Sequence, residues 1–451
     1  MFVRRLARAV IAWEWLFLLA LLPAVLVAPH KLAVGLLLVP LLWLFRGLAT
    51  GRILPLTALN PPMLLLLFMV LVSMFATFDI AFSFSKIAGM VYGVAVFYGV
   101  AAAAQRSHGW LWAGVALFFG AGLGIANVSL LTVRWPQKLP LLSSALARIP
   151  DILINFPGAV GAVSANEVAG VLLWIVPGVL VLAGAFFLRL PTWRRQLPRW
   201  QFLGVIILLP LTALFLTSTL LLTQSRAALL GFGGAFLFVV IVVAGRYRRF
   251  ILFGAAAVII ATTGAAAIGT FDPVDAGKFV FMQAGVNTEE ISDPINTLAG
   301  RQEIWTRALY GIQDFPFTGM GMNTFRRMVH ILYPFFLIMP DFDVAHAHNH
   351  LLQAALDLGL PGLIAYIAIW FGAAGMLWEI WHKSTSFYLR GLALGFAASL
   401  LAYFLYGIFD TVALGARPAF LFWWLLGLVA GLHRLTVSVS SPLRLPHTSP
   451  R

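Results

Sequence analysis

The fold is decided by residues 202–245, FLGVIILLPLTALFLTSTLLLTQSRAALLGFGGAFLFVVIVVAG. This stretch holds two apolar segments, 202–222 and 227–245, each close to the roughly 20 residues that a helix needs to cross a bilayer. Between them lies the turn Thr223-Gln224-Ser225-Arg226, which is far too short to be a soluble loop. The stretch therefore predicts two membrane helices that meet at one face of the membrane.

The same pattern extends along the chain of 451 residues. Its mean hydropathy is +0.95, and only 10% of its residues are charged, against roughly 25% in soluble domains. A water-soluble protein is therefore excluded, and we predict an all-α integral membrane protein of about 12 transmembrane helices, the segment 32–46 being short for a full crossing. The predicted helices are 10–29, 32–46, 60–77, 87–105, 109–132, 168–188, 202–222, 227–245, 250–269, 361–381, 391–413 and 419–434.

Basic residues predict the orientation of these helices. They fall on alternate connections, on the side of the N-terminus, which by the positive-inside rule is the cytoplasm. The net charge of +14 is therefore an orientation signal and a contact with anionic membrane lipids, and not a sign of nucleic-acid binding. Residues 1–27 could pass for a signal peptide, but we interpret them as a retained first helix. The marker residues are Arg4, Arg5, Arg8, Arg46, Arg52, Arg106, Arg189, Arg194, Arg195, Arg199, Arg246, Arg248, Arg249, Lys383 and Arg390.

The chain is predicted to have four parts. Residues 1–269 carry nine helices, 270–360 form a large external loop, 361–435 carry three more helices, and 436–451 form a disordered cytoplasmic tail. The loop holds most ionisable side chains that are not orientation markers, so the chemistry is expected there. The chain has no cysteine, which excludes disulfides, thiolate nucleophiles and cysteine-ligated metals.

Arg226 is the most informative single residue. It lies in the external turn between two membrane helices, and there it breaks the cytoplasmic bias of the other basic residues. It can be an arginine that extends to the membrane interface. Alternatively, it binds an anionic ligand such as a phosphate through its planar guanidinium, since a charge at that depth is costly without a partner.

The external loop contains two predicted helices. The first, 300–309, carries Arg301 and Trp305 one turn apart; Arg301 either points at a ligand or pairs with a nearby acid. The second begins after Asn349, a good N-cap, and stops at Gly359. His348 is therefore expected at a helix N-terminus, where it can act as a general base, a hydrogen-bond donor or a metal ligand.

Several polar groups have competing interpretations. A metal site is an alternative because five potential ligands occur within ten residues, yet residues 341–345 are expected to be non-helical and no glutamate stands where a metalloprotease helix carries its base. We therefore predict no metal. Asp410 and Asn166-Glu167 fit helix capping and helix–helix hydrogen bonds, while Arg326 and Arg327 bind lipid phosphates or are solvated. The five potential ligands are Asp341, Asp343, His346, His348 and His350.

Four short motifs resemble the O-antigen ligase family and its polymerase relatives. They extend over residues 225 to 362, and the last of them is the most specific. The helix number and the large external loop extend the likeness to the whole chain. The motifs are Ser225-Arg226-Ala227-Ala228, Gly300-Arg301 with Trp305, Pro316 with Gly319-x-Gly321, and His348-Asn349 followed by Gly359 and Gly362.

The resemblance implies a type C-like, metal-independent glycosyltransferase of the bacterial inner membrane, with its active site on the periplasmic face and no cofactor. Such ligases transfer O-antigen polysaccharide from undecaprenyl diphosphate to a sugar hydroxyl of lipid A-core. By this resemblance Arg226 and Arg301 hold the diphosphate, His348 activates the acceptor hydroxyl, and Asn349 orients that histidine or the acceptor. The remaining predicted substrate-binding residues are Ser225, Trp305, His346 and Arg326.

Three alternatives remain. An O-antigen polymerase or a protein O-oligosaccharyltransferase would use the same chemistry, and the pattern from His348 to Gly362 favours the ligase. A transporter or lipid flippase would place its ionisable residues near the bilayer midplane in matching halves, whereas here they gather in an external loop.

Overall fold

The computed structural model describes residues 2–27, 33–133, 135, 163–245, 298–340 and 342–439. Within these ranges the protein is helical, and its only β-type contact is an isolated bridge between Val133 and Val163. The helices are α1 (Phe2–Ala12), α2 (Glu14–Val27), α3 (Ala33–Leu36), α4 (Leu38–Thr50), α5 (Asn60–Ala76), α6 (Ile80–Ala104), α7 (His108–Thr132), α8 (Ala165–Leu173), α9 (Val176–Leu188), α10 (Leu190–Gln196), α11 (Arg199–Leu222), α12 (Arg226–Val243), α13 (Leu298–Asp314), α14 (Phe325–Leu332), α15 (His350–Lys383), α16 (Phe387–Gly407) and α17 (Phe420–Val439).

In the described part of the chain, seven helical segments are long and apolar enough to cross a membrane. The bent pair α8 and α9 makes up to eight, and α4 and α5 are shorter apolar helices. The all-α class is therefore confirmed, while the number of 12 stays a prediction. Outside the described residues lie the predicted helix 250–269, most of the loop 133–167, residues 270–297 of the large loop, and the basic residues Arg246, Arg248 and Arg249. The last helix extends to Val439, so residues 436–439 of the predicted tail are helical, and residues 440–451 lie outside the described part.

Two predicted helices are broken. The segment 10–29 divides at Trp13, because α1 is amphipathic, with Arg4, Arg5 and Arg8 exposed and Ala7 buried, whereas α2 is apolar. An amphipathic helix suits an interface, and an apolar one suits the bilayer interior.

The segment 168–188 bends by 40° between α8 and α9. Pro177 stands in the first turn of α9 and has no backbone N–H to donate to the preceding turn. The proline therefore explains why one predicted membrane segment forms two helices.

The helices pack closely around α6, α16 and α17. At the crossing of α12 and α16, a Cβ on Gly231 would lie 2.3 Å from the carbonyl oxygen of Ala402. Only glycine permits this approach, and small residues at helix crossings are the usual means by which membrane helices associate. The crossing fixes the start of α12, where Arg226 lies, beside the end of α16.

Helices α13 and α14 form a small unit outside the main bundle. Ile304 and Ala308 of α13 pack with Phe325 of α14 and Leu356 of α15 in a separate apolar core. This core fixes α13, with Arg301, against the first half of α15.

Helix α15 is interrupted at Gly359, whose φ of 69° and ψ of 178° are not helical. A Cβ at this position would lie 2.4 Å from the carbonyl oxygen of Phe317, so both the backbone conformation and the contact require glycine. The predicted helix stop at Gly359 is confirmed. The short first half, 350–358, ends there, and the long membrane-spanning half follows.

Candidate functional site

The histidine-containing segment 342–349 is a non-helical connection that leads into α15. Asn349 caps the helix as the sequence predicts, because its Oδ1 accepts hydrogen bonds from the backbone N–H groups of Leu351 (2.9 Å) and Leu352 (3.0 Å). Its Nδ2 donates to the carbonyl oxygen of Ile408 (3.1 Å), which joins the loop to the segment after α16. In this structure Asn349 therefore orients the backbone next to His348.

His348 forms a hydrogen-bonded pair with Asp410. Its Nδ1 lies 3.1 Å from Asp410 Oδ1, which also accepts the backbone N–H of Thr411 at 2.8 Å. The His348 side chain is 13% exposed and that of Asp410 is 4% exposed. Because a carboxylate accepts from Nδ1–H, the other ring nitrogen, Nε2, is the one left to accept a proton.

Asp410 is ionised although it is buried. Burial raises the pKa of a carboxyl group, but here His348, through its charge when protonated and through its hydrogen bond, and then the charge of Arg301 lower the pKa of Asp410 to about 2. The site therefore contains a permanent negative charge behind the His348 imidazole.

His346 lies against His348, with ring centroids 4.3 Å apart, and its Nδ1 accepts the backbone N–H of His348 at 3.2 Å. Burial, followed by the neighbouring charge of His348, lowers the pKa of His346 to about 3. His346 is therefore neutral at physiological pH, with its proton on Nε2.

Arg301, on α13, joins His348 and Asp410 in a contact group of three side chains. One of its terminal nitrogens lies 4.0 Å from Asp410 Oδ2, and its Nε is buried with no hydrogen-bond partner among the described residues. The indole Nε1 of Trp305, one turn further along α13, is likewise buried without a partner, and its ring lies 6.5 Å from that of Phe409. Two unused donors on one helix thus lie beside the histidine–aspartate pair.

Arg226 is exposed at the first residue of α12, and Ser225 before it is buried. The positive charges of Arg226 and Arg301 act on each other, so the structure brings these two predicted residues to one place. Two guanidinium groups that repel each other favour an anion between them.

Lys86 of α6 is a basic group that the sequence analysis did not select. Its charge acts on His346 and is attracted by Glu167 and Asp357. The backbone of α6 touches the segment that carries Asp410, since a Cβ on Gly415 would lie 2.0 Å from the carbonyl oxygen of Lys86. The sequence did contain a signal for Lys86, because a charged lysine inside an apolar membrane segment costs free energy and usually has a function.

A metal ion has one candidate set of ligands among the described residues. Ligand atoms of His346, His348 and Asp410 lie within 4.8 Å of one another. However, the charges of Arg301 and Lys86 reach this cluster and disfavour a cation. Asp341, another candidate of the metal alternative, lies outside the described residues. Of the other candidates, His350 is buried next to Tyr366 (3.0 Å between Nδ1 and the hydroxyl oxygen) and Asp343 binds Arg326, so neither joins this cluster.

Arg326 is held by Asp343 on the surface. Its Nε lies 2.7 Å from Asp343 Oδ1, and a second hydrogen bond joins its terminal nitrogen to Oδ2. The guanidinium of Arg326 is therefore used by an ion pair within the protein. Its role in binding substrate stays a prediction.

The fold and the site together define an integral membrane protein with a cationic, histidine-containing site at one end of its helical bundle. The family model described as O-antigen ligase matches residues 211–367, which contain Arg226, Arg301 and His348. This segment therefore matches the family that the motifs of the sequence resemble. No curated protein matches the chain. Asp410 and Lys86 lie outside the matched segment.

Proposed function

We propose that this protein is an O-antigen ligase of the bacterial inner membrane, which transfers polysaccharide from undecaprenyl diphosphate to a sugar hydroxyl of lipid A-core at the periplasmic face. The observation that carries the proposal is the contact group of Arg301, Asp410 and His348, with the charge of Arg226 acting on Arg301. It combines a base with cationic groups for a departing phosphate. The family match, together with the basic residues at the opposite helix ends, supports the proposal.

The reaction needs one proton acceptor and stabilisation of the leaving group. His348 Nε2 removes the proton from the acceptor hydroxyl, and Asp410 stabilises the imidazolium that forms. The hydroxyl oxygen attacks the anomeric carbon while the bond from that carbon to the diphosphate oxygen breaks. The electron pair leaves with the diphosphate, whose additional negative charge is stabilised by Arg226 and Arg301. This direct displacement inverts the anomeric configuration and needs no nucleophilic carboxylate.

The same donor chemistry would serve an O-antigen polymerase, which differs only in its acceptor. The product separates the two activities, because a polymerase lengthens the lipid-linked glycan whereas a ligase modifies lipid A-core. A transporter is less well supported, because the charged groups gather at the starts of α6, α8, α12 and α15 instead of at the middle of the helices.

The test is transfer by purified protein in vesicles that contain a polyprenyl diphosphate-linked glycan and lipid A-core. We expect glycan to appear on lipid A-core, with and without a chelator, since cationic side chains replace a metal. His348→Ala should lower the rate at least about 100-fold and Asp410→Asn about tenfold or more. His108→Ala is the matched control, because His108 is exposed at the start of α7, away from the site.

Three outcomes would contradict the proposal. Donor chains that lengthen while lipid A-core stays unmodified would identify a polymerase. Transfer that disappears with the chelator and returns with added cation would replace the metal-free mechanism. Full transfer by His348→Ala would remove the proposed base.

A further inference from the structure

The Gln353 side chain is buried one turn into α15. It connects the histidine-containing segment 342–349, here called the histidine loop, to the protein interior. Its Oε1 accepts the backbone N–H of Ala347 at 2.8 Å, and its Nε2 donates to Asp357 Oδ1 at 2.9 Å. These two partners fix the orientation of the amide, since the reverse orientation would place an NH₂ group against the N–H of Ala347. Gln353 therefore acts as a bridge with one defined direction.

Asp357 anchors the far end of this bridge. It is buried, and its Oδ1 also accepts the backbone N–H of Asn323 at 3.1 Å. Asn323 has a left-handed φ of 66°, and its Nδ2 donates to the carbonyl oxygen of Phe82 at the start of α6 at 3.3 Å. A continuous series of hydrogen bonds thus runs from α6 through Asn323, Asp357 and Gln353 to Ala347.

The histidine loop needs such support because His348 has a φ of 48°, a backbone conformation that residues with a Cβ rarely adopt. Its two neighbours in the chain are both fixed, Asn349 by Ile408 and Ala347 by Gln353. Without the hydrogen bond at Ala347, the backbone can relax to negative φ, and the imidazole then turns away from Asp410. Gln353 does not contact the reacting groups and acts through Ala347.

We propose that Gln353 is a positioning residue for His348, and that the bridge from Ala347 to Asp357 keeps the imidazole in its reactive orientation. The inference rests on the proposed transfer reaction, in which His348 is the base. It predicts that loss of the bridge lowers the rate of transfer without weakening the binding of the donor, because Arg226 and Arg301 are carried by other helices, α12 and α13.

The test compares four variants in the reconstituted transfer assay. Gln353→Leu removes both hydrogen bonds, and Gln353→Glu places a second carboxylate against Asp357. Both should lower kcat at least tenfold and leave the donor KM within about twofold of the wild-type value. Asp357→Asn keeps an accepting oxygen and should stay within about threefold of the wild-type kcat. The double variant Gln353→Glu with Asp357→Asn removes the repulsion between two carboxylates, while the asparagine oxygen can still accept the backbone N–H of Asn323, so its kcat should lie above that of Gln353→Glu.

The matched control is Gln196, which is exposed at the end of α10, and Gln196→Leu and Gln196→Glu should leave kcat and KM unchanged. Hydrogen–deuterium exchange of peptide 342–349 supplies a measurement that needs no substrate. In Gln353→Leu its exchange should become at least tenfold faster, while peptides from α16 keep the wild-type rate.

The outcomes separate the two proposals. An unchanged kcat in Gln353→Leu, a loss confined to KM, or a double variant no better than Gln353→Glu would overturn the positioning role. If the wild-type protein transfers no glycan, the proposed function fails, and the exchange measurement alone then decides whether Gln353 holds the loop. If Gln353→Leu does not fold, the comparison of Gln353→Glu with the double variant still decides.

Discussion

At the scale of single residues, Asp410 is the centre of the site. It accepts a hydrogen bond from His348 and lies 4.0 Å from a terminal nitrogen of Arg301, so one carboxylate contacts both the proposed base and a proposed phosphate-binding group. Within the described part of the chain, the buried Nε of Arg301 has no hydrogen-bond partner, so it can donate to a ligand while the contact with Asp410 persists. The negative charge, the imidazole and the hydrogen-bond donors of the site therefore come from three separate parts of the chain.

Arginine cannot be replaced by lysine at these positions if each guanidinium binds phosphate through two donors. Arg226→Lys and Arg301→Lys should each lower kcat/KM for transfer about tenfold or more, because an ammonium group does not reproduce the planar pair of donors. The protein should still insert and keep its melting temperature within a few degrees. Arg52→Lys, at an exposed position in the connection after α4, is the control. Wild-type kcat/KM in both site variants would exclude bidentate phosphate binding.

At the scale of secondary-structure elements, the decisive feature is the interruption of α15. The short half, which begins after the Asn349 cap, presents the histidine loop, and the long half crosses the apolar part of the bundle. The sequence predicted the cap and the stop, because asparagine before a helix and glycine at its end have local, well-understood causes. It did not predict the breaks at Trp13 and between α8 and α9, where only local amphipathicity and one proline divide otherwise continuous apolar segments.

Replacement of Gly359 should disrupt this junction. Gly359→Ala forces a Cβ into a left-handed backbone and within 2.4 Å of the carbonyl oxygen of Phe317. The cost should be about 2 kcal/mol or more, with a lower melting temperature and loss of transfer. Gly375→Ala in the same helix is the control, since its Cβ would meet no atom within 4 Å and alanine favours a helix interior. Equal stability of the two variants would show that the junction tolerates a side chain.

At the scale of the whole molecule, the site depends on the assembly of distant segments. The starts of α6, α8, α12 and α15 and the connection after α16 meet at one end of the bundle, while α13 covers them from the side. The family match extends only over residues 211–367, so Lys86 and Asp410 reach the site through tertiary packing. The protonation of residues at this end therefore affects the stability of the complete bundle.

Acidification should destabilise the protein. The pKa of His346 falls from 6.5 to about 3 on folding, so between these values the unfolded chain binds more protons and stability decreases as pH falls. The lowered pKa of Asp410 acts in the same direction but only below about pH 4. Between pH 7 and 5 the loss from His346 should be at most about 1.4 kcal/mol per pH unit.

The measurement is the thermal unfolding of purified protein in detergent at several pH values. The melting temperature should fall from pH 7 to pH 5, and His346→Asn should reduce the slope because its side chain does not titrate. His108→Asn, at an exposed histidine, should retain the wild-type slope. A melting temperature that rises on acidification, or a slope that is identical in His346→Asn, would contradict the neutral state of His346 in the folded protein.

The sequence by itself determined the class of fold, the positions of most membrane helices and the cap at Asn349. It also singled out Arg226, Arg301 and His348 as candidate site residues. These follow from local causes: apolar length, helix-end chemistry and charges in costly places. Only the tertiary structure decided that Asp410 binds His348, that the charge of Lys86 acts on His346, and that Gln353 connects the histidine loop to α6 through Asp357 and Asn323. Those partners are separated by up to hundreds of residues, and no local pattern in the chain specifies which distant helix ends will meet.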